Sequence, residues 1–257
     1  MRWTARVKGL GPFAAGLGIF AATLIGALIV LAPATLIDAR LERASDGRLR
    51  LAEAQGSLWS GAGWIEIRDA DGGAGIAKRL AWRVLPWSLL RGHLAAEVEL
   101  DHAARPFPVT ISLSRIEIAD AGISVPAAVL GLGMPRIAPL RLTGDVLVDI
   151  PRLTVERGRM DGEATLKWRA AGSALTPISP LGDYEVRFKA VGPAVHAALR
   201  TLEGPLQLDG EGTWTNGAPP SFLATARIPP QHQEQLSPLL RLIAVERGAG
   251  TFELRLQ

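Results

Sequence analysis

The segment LAAEVELDHAARPFPVTISLS, residues 94–114, carries the pattern that decides the fold. Apolar side chains occupy every second position in two parts of it: Ala96, Val98, Leu100 and Val109, Ile111, Leu113. Polar residues, including Glu97 and Glu99, fall between them. Successive side chains of a strand point to opposite faces of a sheet, so this period of two predicts strands with one buried face.

The same alternation continues through the rest of the chain. It recurs at residues 64–68, 146–150, 153–155, 166–168, 184–188, 206–208, 222–228 and 252–256, with turn-forming Gly, Pro, Asp and Asn between these segments. Roughly ten or more short strands at this spacing predict an antiparallel sheet, because a parallel sheet would need long helical crossovers. Near Ser114 and Arg115 the apolar positions change from odd to even numbers, which predicts a β-bulge.

A helical period occurs only in short stretches. Two sets of residues follow the spacing i, i+3, i+4, i+7: Leu236, Leu239, Leu240, Ile243 and Val195, Ala198, Leu199, Leu202. Residues 82–94 and 125–133 are long enough for one or two helical turns each. We expect these helices to form lids or corners on a sheet.

The N-terminal part of the chain has a different composition. From Gly9 to Ile37 there is no charged side chain, and about 20 such residues are enough to cross a hydrocarbon core about 30 Å thick. We therefore predict a transmembrane helix over residues 10–37. A cleavable signal ending near Ala32-Pro33-Ala34 is the alternative, but the apolar core of such a signal usually spans only about 7–15 residues.

Basic residues before this segment predict its orientation. Arg2, Arg6 and Lys8 precede the apolar run, and cationic flanks stay in the cytoplasm. Residues 1–9 are then a cytoplasmic tip and residues 38–257 a β-rich domain across the membrane. The predicted fold is mostly β: one transmembrane helix, then an antiparallel, curved, multi-stranded sheet, as an open groove or sandwich-like, with a few short helices.

Composition narrows the classes of function. The chain has no cysteine, which removes disulfides, thiolate nucleophiles and Cys-ligated metals from consideration. Its net charge is only +3, and it has no basic field suited to nucleic acid. We expect no nucleic-acid partner.

No residue pattern predicts a catalytic or metal site. The four histidines lack a metal-binding spacing: His93, His102, His196 and His232. Ser57 and Ser60 lie in the wrong frame for a hydrolase elbow, and residues 69–73 fit a hairpin turn better than a calcium loop. Glu97, Glu99 and Asp101 share the solvated face of a strand. We expect neither an enzyme nor a cofactor.

Four glycine- or proline-rich segments, in their order along the chain, carry a family resemblance. They are GSLWSG (56–61), LAWRVLPWSLLRG (80–92), PLGDY (180–184) and DGEGTW (209–214). Together with the short basic tip and the membrane segment, they resemble protein N of the bacterial type II secretion system. The resemblance implies a non-catalytic accessory component of the inner membrane of a Gram-negative cell. It also implies a periplasmic domain that contacts other secretion components.

The apolar face of such a sheet offers an alternative function. Left uncovered, it would form a groove for phospholipid, as in envelope proteins of the AsmA-like type. How much of this face is left uncovered distinguishes a lipid-binding protein from a secretion component that acts through protein contacts. The open sheet edges are candidates for β-addition of a partner strand.

Tryptophan is the residue type that we single out as a candidate for contacts with partners. The candidate interaction residues are Trp59, Trp64, Trp82 and Trp87. For Trp59 and Trp64 the alternative is that these rings fill a packing gap at a glycine-rich corner of the sheet.

Overall fold

A computed structural model describes residues 32–68, 75–101, 103, 105–133, 137–215, 218 and 221–256. The strands in these residues are β1 (Leu49–Gly56), β2 (Ser60–Ile67), β3 (Ile76–Leu85), β4 (Leu94–Leu100), β5 (Phe107–Ile111), β6 (Arg115–Pro126), β7 (Leu142–Glu156), β8 (Arg159–Ser173), β9 (Gly182–Gly192), β10 (Ala194–Glu203), β11 (Gln207–Thr215), β12 (Ser221–Arg227), β13 (Val245–Gly248) and β14 (Thr251–Leu256). The helices are α1 (Thr35–Ala44), α2 (Ala128–Gly133), α3 (Gln233–Leu240) and three short 3₁₀ helices, Pro86–Arg91, Ala138–Leu140 and Pro230–His232.

All fourteen strands of the described residues join one open sheet. Spatial neighbours follow the order of the chain from β1 to β12, after which come β14 and finally β13 at the edge. The paired strands are antiparallel. The mostly β, antiparallel prediction is therefore confirmed, and the sheet is single and open, not sandwich-like. The helices at residues 86–91 and 128–133 lie within the predicted stretches 82–94 and 125–133, and the helix at residues 233–240 overlaps the one predicted from Leu236 to Ile243.

Residues 1–31 lie outside the described residues; they include the predicted cytoplasmic tip (residues 1–9) and most of the predicted transmembrane helix (residues 10–37). Residues 32–34 of the predicted span are not helical, and Pro33 forms an antiparallel β-bridge with Ser57. In the described part of the chain, α1 begins at Thr35 and is amphipathic, with Ile37 and Leu41 packed against the sheet. No described helix has both the length and the apolar content needed to cross a membrane.

The helix expected at Val195–Leu202 is wrong, because this segment is strand β10. It is paired along its length with β9 on one side and β11 on the other. Val195, Ala197 and Leu199 also alternate with His196, Ala198 and Arg200, so the segment fits a period of two as well as a helical period. Hydrogen bonding to two neighbouring strands decides between the two patterns.

The bulge expected near Ser114 is also wrong. Residues 112–114 form the turn of a hairpin between β5 and β6, closed by a hydrogen bond from Ser112 N–H to the Arg115 carbonyl (2.8 Å). In the hairpin, Ile111 is paired with Ile116 and Val109 with Ile118. The chain reverses there, so an odd set and an even set of apolar residues lie on the same face without an inserted residue.

Strand register separates the sheet into two faces. Trp82 is paired with Val98, and Val98 with Phe107, so their side chains share one face. The pairing of the later strands, together with the register shift between Asp149 and Arg152 of β7, continues this apolar face to Val146 on β7, Leu166 on β8, Phe188 on β9, Ala224 on β12 and Phe252 on β14. The opposite, polar face carries charged residues such as Arg79, Glu97 and Glu185.

Two buried clusters lie on the apolar face, one near the first strands of the sheet and one near the last strands. The N-terminal cluster contains Leu51, Trp82 and Val84 beneath Ile37 and Leu41 of α1. The C-terminal cluster joins Leu236, Leu239 and Leu240 of α3 to Phe252 of β14 and to residues of the neighbouring loops. Each helix therefore covers one end of the sheet with its apolar side.

Between these clusters the apolar face is buried at mid-sheet, as at Val146 and Tyr184, and is less buried near one end of the strands. Toward the β5–β6, β7–β8 and β9–β10 turns its side chains are half-buried or exposed: Ile111, Ile116, Leu153, Val155, Met160, Val195, Trp214 and Phe222. Three aromatic rings line part of this region, with centroids 6.2 Å apart for Phe188 and Trp214 and 6.3 Å apart for Trp214 and Phe222. This open region is called the apolar trough below.

Candidate interaction surfaces

One end of the sheet receives the N-terminal segment. Pro33 forms an isolated antiparallel bridge with Ser57 in the turn between β1 and β2. The N–H of Leu58 donates to the carbonyl of Ala32 (2.8 Å), and the N–H of Ala34 to that of Gly56 (3.4 Å). This end of the sheet, formed by the β1–β2, β3–β4 and β5–β6 connections, is called the hairpin end. The residues that follow the uncharged N-terminal run are thus hydrogen-bonded to it.

Trp59 and Trp82 come together at the hairpin end as packing residues. Trp82 is buried, and its Nε1 donates to the carbonyl of Leu58 (3.2 Å). Its ring lies over Gly61, where a Cβ atom would stand only 2.5 Å from Trp82 Cζ2. Trp59 is half-buried against this cluster, and its carbonyl accepts from Val84 N–H (2.6 Å). Glycine at residue 61 is therefore needed to leave room for the ring of Trp82.

Trp64 lies apart from this pair. It is paired with Arg79, which places it on the polar face, and 40% of its surface is exposed. Its ring borders a shallow depression lined also by Glu53, Gln55, Arg79 and Asp101. The lining combines carboxylates with a guanidinium group, so this depression is a polar surface with one aromatic wall.

Trp87 is the most exposed of the four candidate tryptophans. It lies in the 3₁₀ helix Pro86–Arg91 between β3 and β4, where 79% of Trp87 and 82% of Leu90 are exposed. Leu89 of the same helix is also exposed, and so is Leu113 in the adjacent β5–β6 turn. We call Trp87, Leu89, Leu90 and Leu113 the apolar loop patch. Leu89 and Leu90 were not singled out from the sequence, although the short segment PWSLL is a signal for them, because one helical turn cannot bury both of its sides. Leu113 was expected on the buried face of a strand, and this is wrong: β5 ends at Ile111, and Leu113 lies exposed in the turn.

The loop that carries Trp87 is held by a buried hydroxyl. Ser88 Oγ donates to the carbonyl of Leu85 (2.6 Å) and accepts from the N–H of Ala95 (2.8 Å), which ties both ends of the loop together. Gly92 ends the 3₁₀ helix with a φ of 76°, in the left-handed region. The exposed side chains therefore project from a defined turn.

The two outer strands differ in how open their backbones are. At the β1 edge, Asp38 of α1 accepts the N–H of Leu51 through its carboxylate (2.8 Å). At the other edge, all four residues of β13 are exposed, and its pairing with β14 shifts register between Glu246 and Gly248. β13 is therefore the more accessible of the two edges. Its short length, irregular pairing and charged side chains still limit uncontrolled addition of other strands.

An ion-pair cluster occupies the polar face at its centre. Glu185 on β9 is buried, and its Oε1 lies 2.7 Å from Arg187 Nε and 2.7 Å from Arg200 Nη2. Burial raises the pKa of Glu185, but the hydrogen bonds and charges of Arg200 and Arg187 outweigh it and leave the pKa below its ordinary value. The charged carboxylate therefore stabilises the sheet at neutral pH.

Glu185→Gln is expected to destabilise the domain by roughly 1–3 kcal/mol at neutral pH, because a charge-assisted acceptor is lost. The native contribution is fully present above the ordinary carboxyl pKa of about 4.3. Since the folded pKa is the lower one, the contribution is lost as pH falls through the folded value. When urea unfolding is measured from neutral to acid pH, the free energy of unfolding should therefore fall less in the variant than in the native protein.

The matched control for this prediction is Glu163→Gln on the same polar face. Glu163 lies 3.9 Å from Lys189, and both side chains are exposed. An exposed pair of this kind contributes about 0–1 kcal/mol. Equal acid sensitivity of the native protein and the Glu185 variant would contradict the role of the cluster.

Among the described residues, no group of three or more His, Cys, Asp and Glu side chains is placed to hold a metal ion. Glu97 and Glu99 lie on the polar face, as the alternation predicts. His102 and the segment 69–73 lie outside the described residues.

The chain matches the model of a known protein family. A family model described as type II secretion system (T2SS), protein N, matches residues 47–255. The matched region begins before β1 and ends within β14, so it takes in nearly the whole sheet. No curated protein and no solved structure matches the chain.

Proposed function

Because the chain belongs to the protein N family of the type II secretion system, we propose that it is an accessory inner-membrane component of this system. Its β domain then lies in the periplasm and acts through protein contacts, without catalysis. The family match over residues 47–255 is the observation that carries the proposal. The uncharged run from Gly9 to Ile37 supports the membrane placement, because its length suits a bilayer.

Edge strand β13 is the proposed contact for other secretion components. It lies at the end of the strand order with only β14 beside it, and Val245 is 60% exposed. A partner strand adding to this edge would gain backbone hydrogen bonds. Exposed ion pairs near it, Arg241 with Glu246 and Arg247 with Glu253, would restrict which strands fit.

Crosslinking in cells that secrete through this system tests the proposal. A photoreactive amino acid at Val245 should yield adducts with other secretion components, whereas the same amino acid at Leu147, exposed at mid-sheet on the polar face, should yield few. Deleting the gene that encodes this chain should lower secretion. Undiminished secretion together with no adduct to a secretion component from any exposed position would refute the proposed function.

The apolar trough supports a second candidate, binding of phospholipid acyl chains. Side chains such as Val155, Met160 and Trp214 are only half-buried on a face that is otherwise apolar. A contiguous exposed apolar surface is typical of a site that binds a ligand, a membrane or another protein. Mass spectrometry of the purified domain distinguishes the candidates: co-purified phospholipid favours lipid handling, and a lipid-free domain that crosslinks to secretion components favours protein contacts.

A further inference from the structure

Three large apolar side chains project into solvent from neighbouring connections at the hairpin end. Trp87 and Leu90 come from the β3–β4 loop, and Leu113 is fully exposed in the β5–β6 turn. The two connections are neighbours because Leu94, which starts β4, is paired with Ile111, which ends β5. Each is held by hydrogen bonds, through Ser88 Oγ in one and Ser112 N–H in the other. The apolar loop patch is therefore a fixed surface feature.

The chain approaches the hairpin end directly from the uncharged run. Pro33, near the end of that run, is bridged to Ser57 in the β1–β2 turn. Four strand spacings separate the β1–β2 turn from the β5–β6 turn, which amounts to about 20 Å at the usual spacing of about 4.8 Å. A bilayer that holds the run would consequently have the hairpin end next to its surface.

The composition of the patch fits that surface. Tryptophan is enriched at the boundary between headgroups and hydrocarbon, and leucine enters the hydrocarbon beside it. Arg91, exposed in the last turn of the same 3₁₀ helix, is suited to anionic headgroups. The trough opens toward the same turns, with Ile111 and Ile116 exposed near them.

We propose that the apolar loop patch inserts into the interface of the bilayer that anchors the N-terminal segment. The sheet then has two attachments to one membrane, the N-terminal segment and the loops that carry Trp87, Leu90 and Leu113. This second attachment holds the hairpin end against the lipid and directs the open end of the trough toward it. The proposal rests on the inner-membrane placement given under the proposed function.

Site-specific labelling of the full chain tests this proposal. The chain contains no cysteine, so Leu90→Cys and Leu113→Cys each accept one environment-sensitive fluorophore. After reconstitution into vesicles of phosphatidylethanolamine and phosphatidylglycerol, both labels should gain fluorescence several-fold, shift to the blue and be quenched by spin-labelled lipid. Leu175→Cys is the matched control: it is also exposed, but lies in the β8–β9 connection at the opposite end of the strands, and should show none of these changes.

The outcomes separate this proposal from the function on which it rests. Protein that floats with the vesicles while the labels at residues 90 and 113 stay as accessible to water as that at 175 overturns the patch alone. Protein that does not float refutes the membrane placement and the patch with it. Labels shielded only after other secretion components are added identify a protein-docking surface and overturn insertion. Vesicles contain no secretion machinery, so a failed secretion assay leaves the result unaffected.

Discussion

Val146→Asp is expected to unfold the β domain. Val146 is 1% exposed at the centre of the sheet, between its pairing partners Val125 and Trp168. An aspartate there is either an unpaired buried charge or a protonated acid without a partner, and either costs several kcal/mol. That cost is a large part of a typical total stability of about 5–15 kcal/mol. Circular dichroism and thermal melting of the isolated variant would show the loss of the cooperative transition.

The neighbouring residue provides the control for this substitution. Leu147 follows Val146 on the same strand but lies on the polar face and is 43% exposed. Leu147→Asp keeps its carboxylate in water, so its free energy of unfolding should change by about 0.5 kcal/mol or less. A melting curve of Val146→Asp that matches the native protein would show that the assignment of the two faces is incorrect.

Phe252→Ala is expected to lower the free energy of unfolding by about 3–5 kcal/mol. The ring of Phe252 is fully buried in the C-terminal cluster, with Leu236 and Leu239 of α3 in the same cluster. Its removal leaves a cavity under the helix that covers this end of the sheet. Urea denaturation measures the loss, and hydrogen exchange should show earlier opening of β14 and α3 than of the N-terminal strands.

Val245→Ala tests whether the loss comes from burial. Val245 lies on β13, paired with Glu253 of β14, and is largely exposed. Its truncation removes little buried surface, so the free energy of unfolding should change by about 0.5 kcal/mol or less. Equal losses for the two variants would mean that α3 does not seal an apolar core against β14.

Period-two patterning was enough to predict most of the sheet. A strand with one buried face must alternate, and turn residues must separate consecutive strands, so the strands could be located before any contact was known. The order of neighbours also follows in large part, because consecutive strands joined by short turns pair with each other. The segment around Val195 was misread because a ten-residue strand rich in Ala and Leu satisfies both periods. The hydrogen bonds that decide it come from residues distant in sequence.

The tryptophans show why a site is harder to predict than a fold. All four lie beside glycine or proline in the sequence or within a few residues of it, yet their surroundings differ. Trp82 is buried over Gly61, Trp64 borders a polar depression, and Trp87 stands in solvent. These differences depend on which strand lies beside each ring and on the face to which it points. Alternation with Glu66 and Arg68 indicates the face of Trp64, but which strand or loop packs against each ring is not encoded in the local pattern.

By itself, the sequence determined the strand content, the antiparallel connections and the family, because alternation, turn residues and motif order are local properties of the chain. Tertiary structure decided that the sheet is single and open and that α1 and α3 cover opposite ends of the strand order. It also decided that the exposed loops of β3–β4 and β5–β6 lie at the same end of the strands as the attachment of Pro33. The physical reason is that burial depends on what packs against a face. That in turn depends on residues far apart in sequence, such as Phe252 with Leu140 and Trp82 with Leu58.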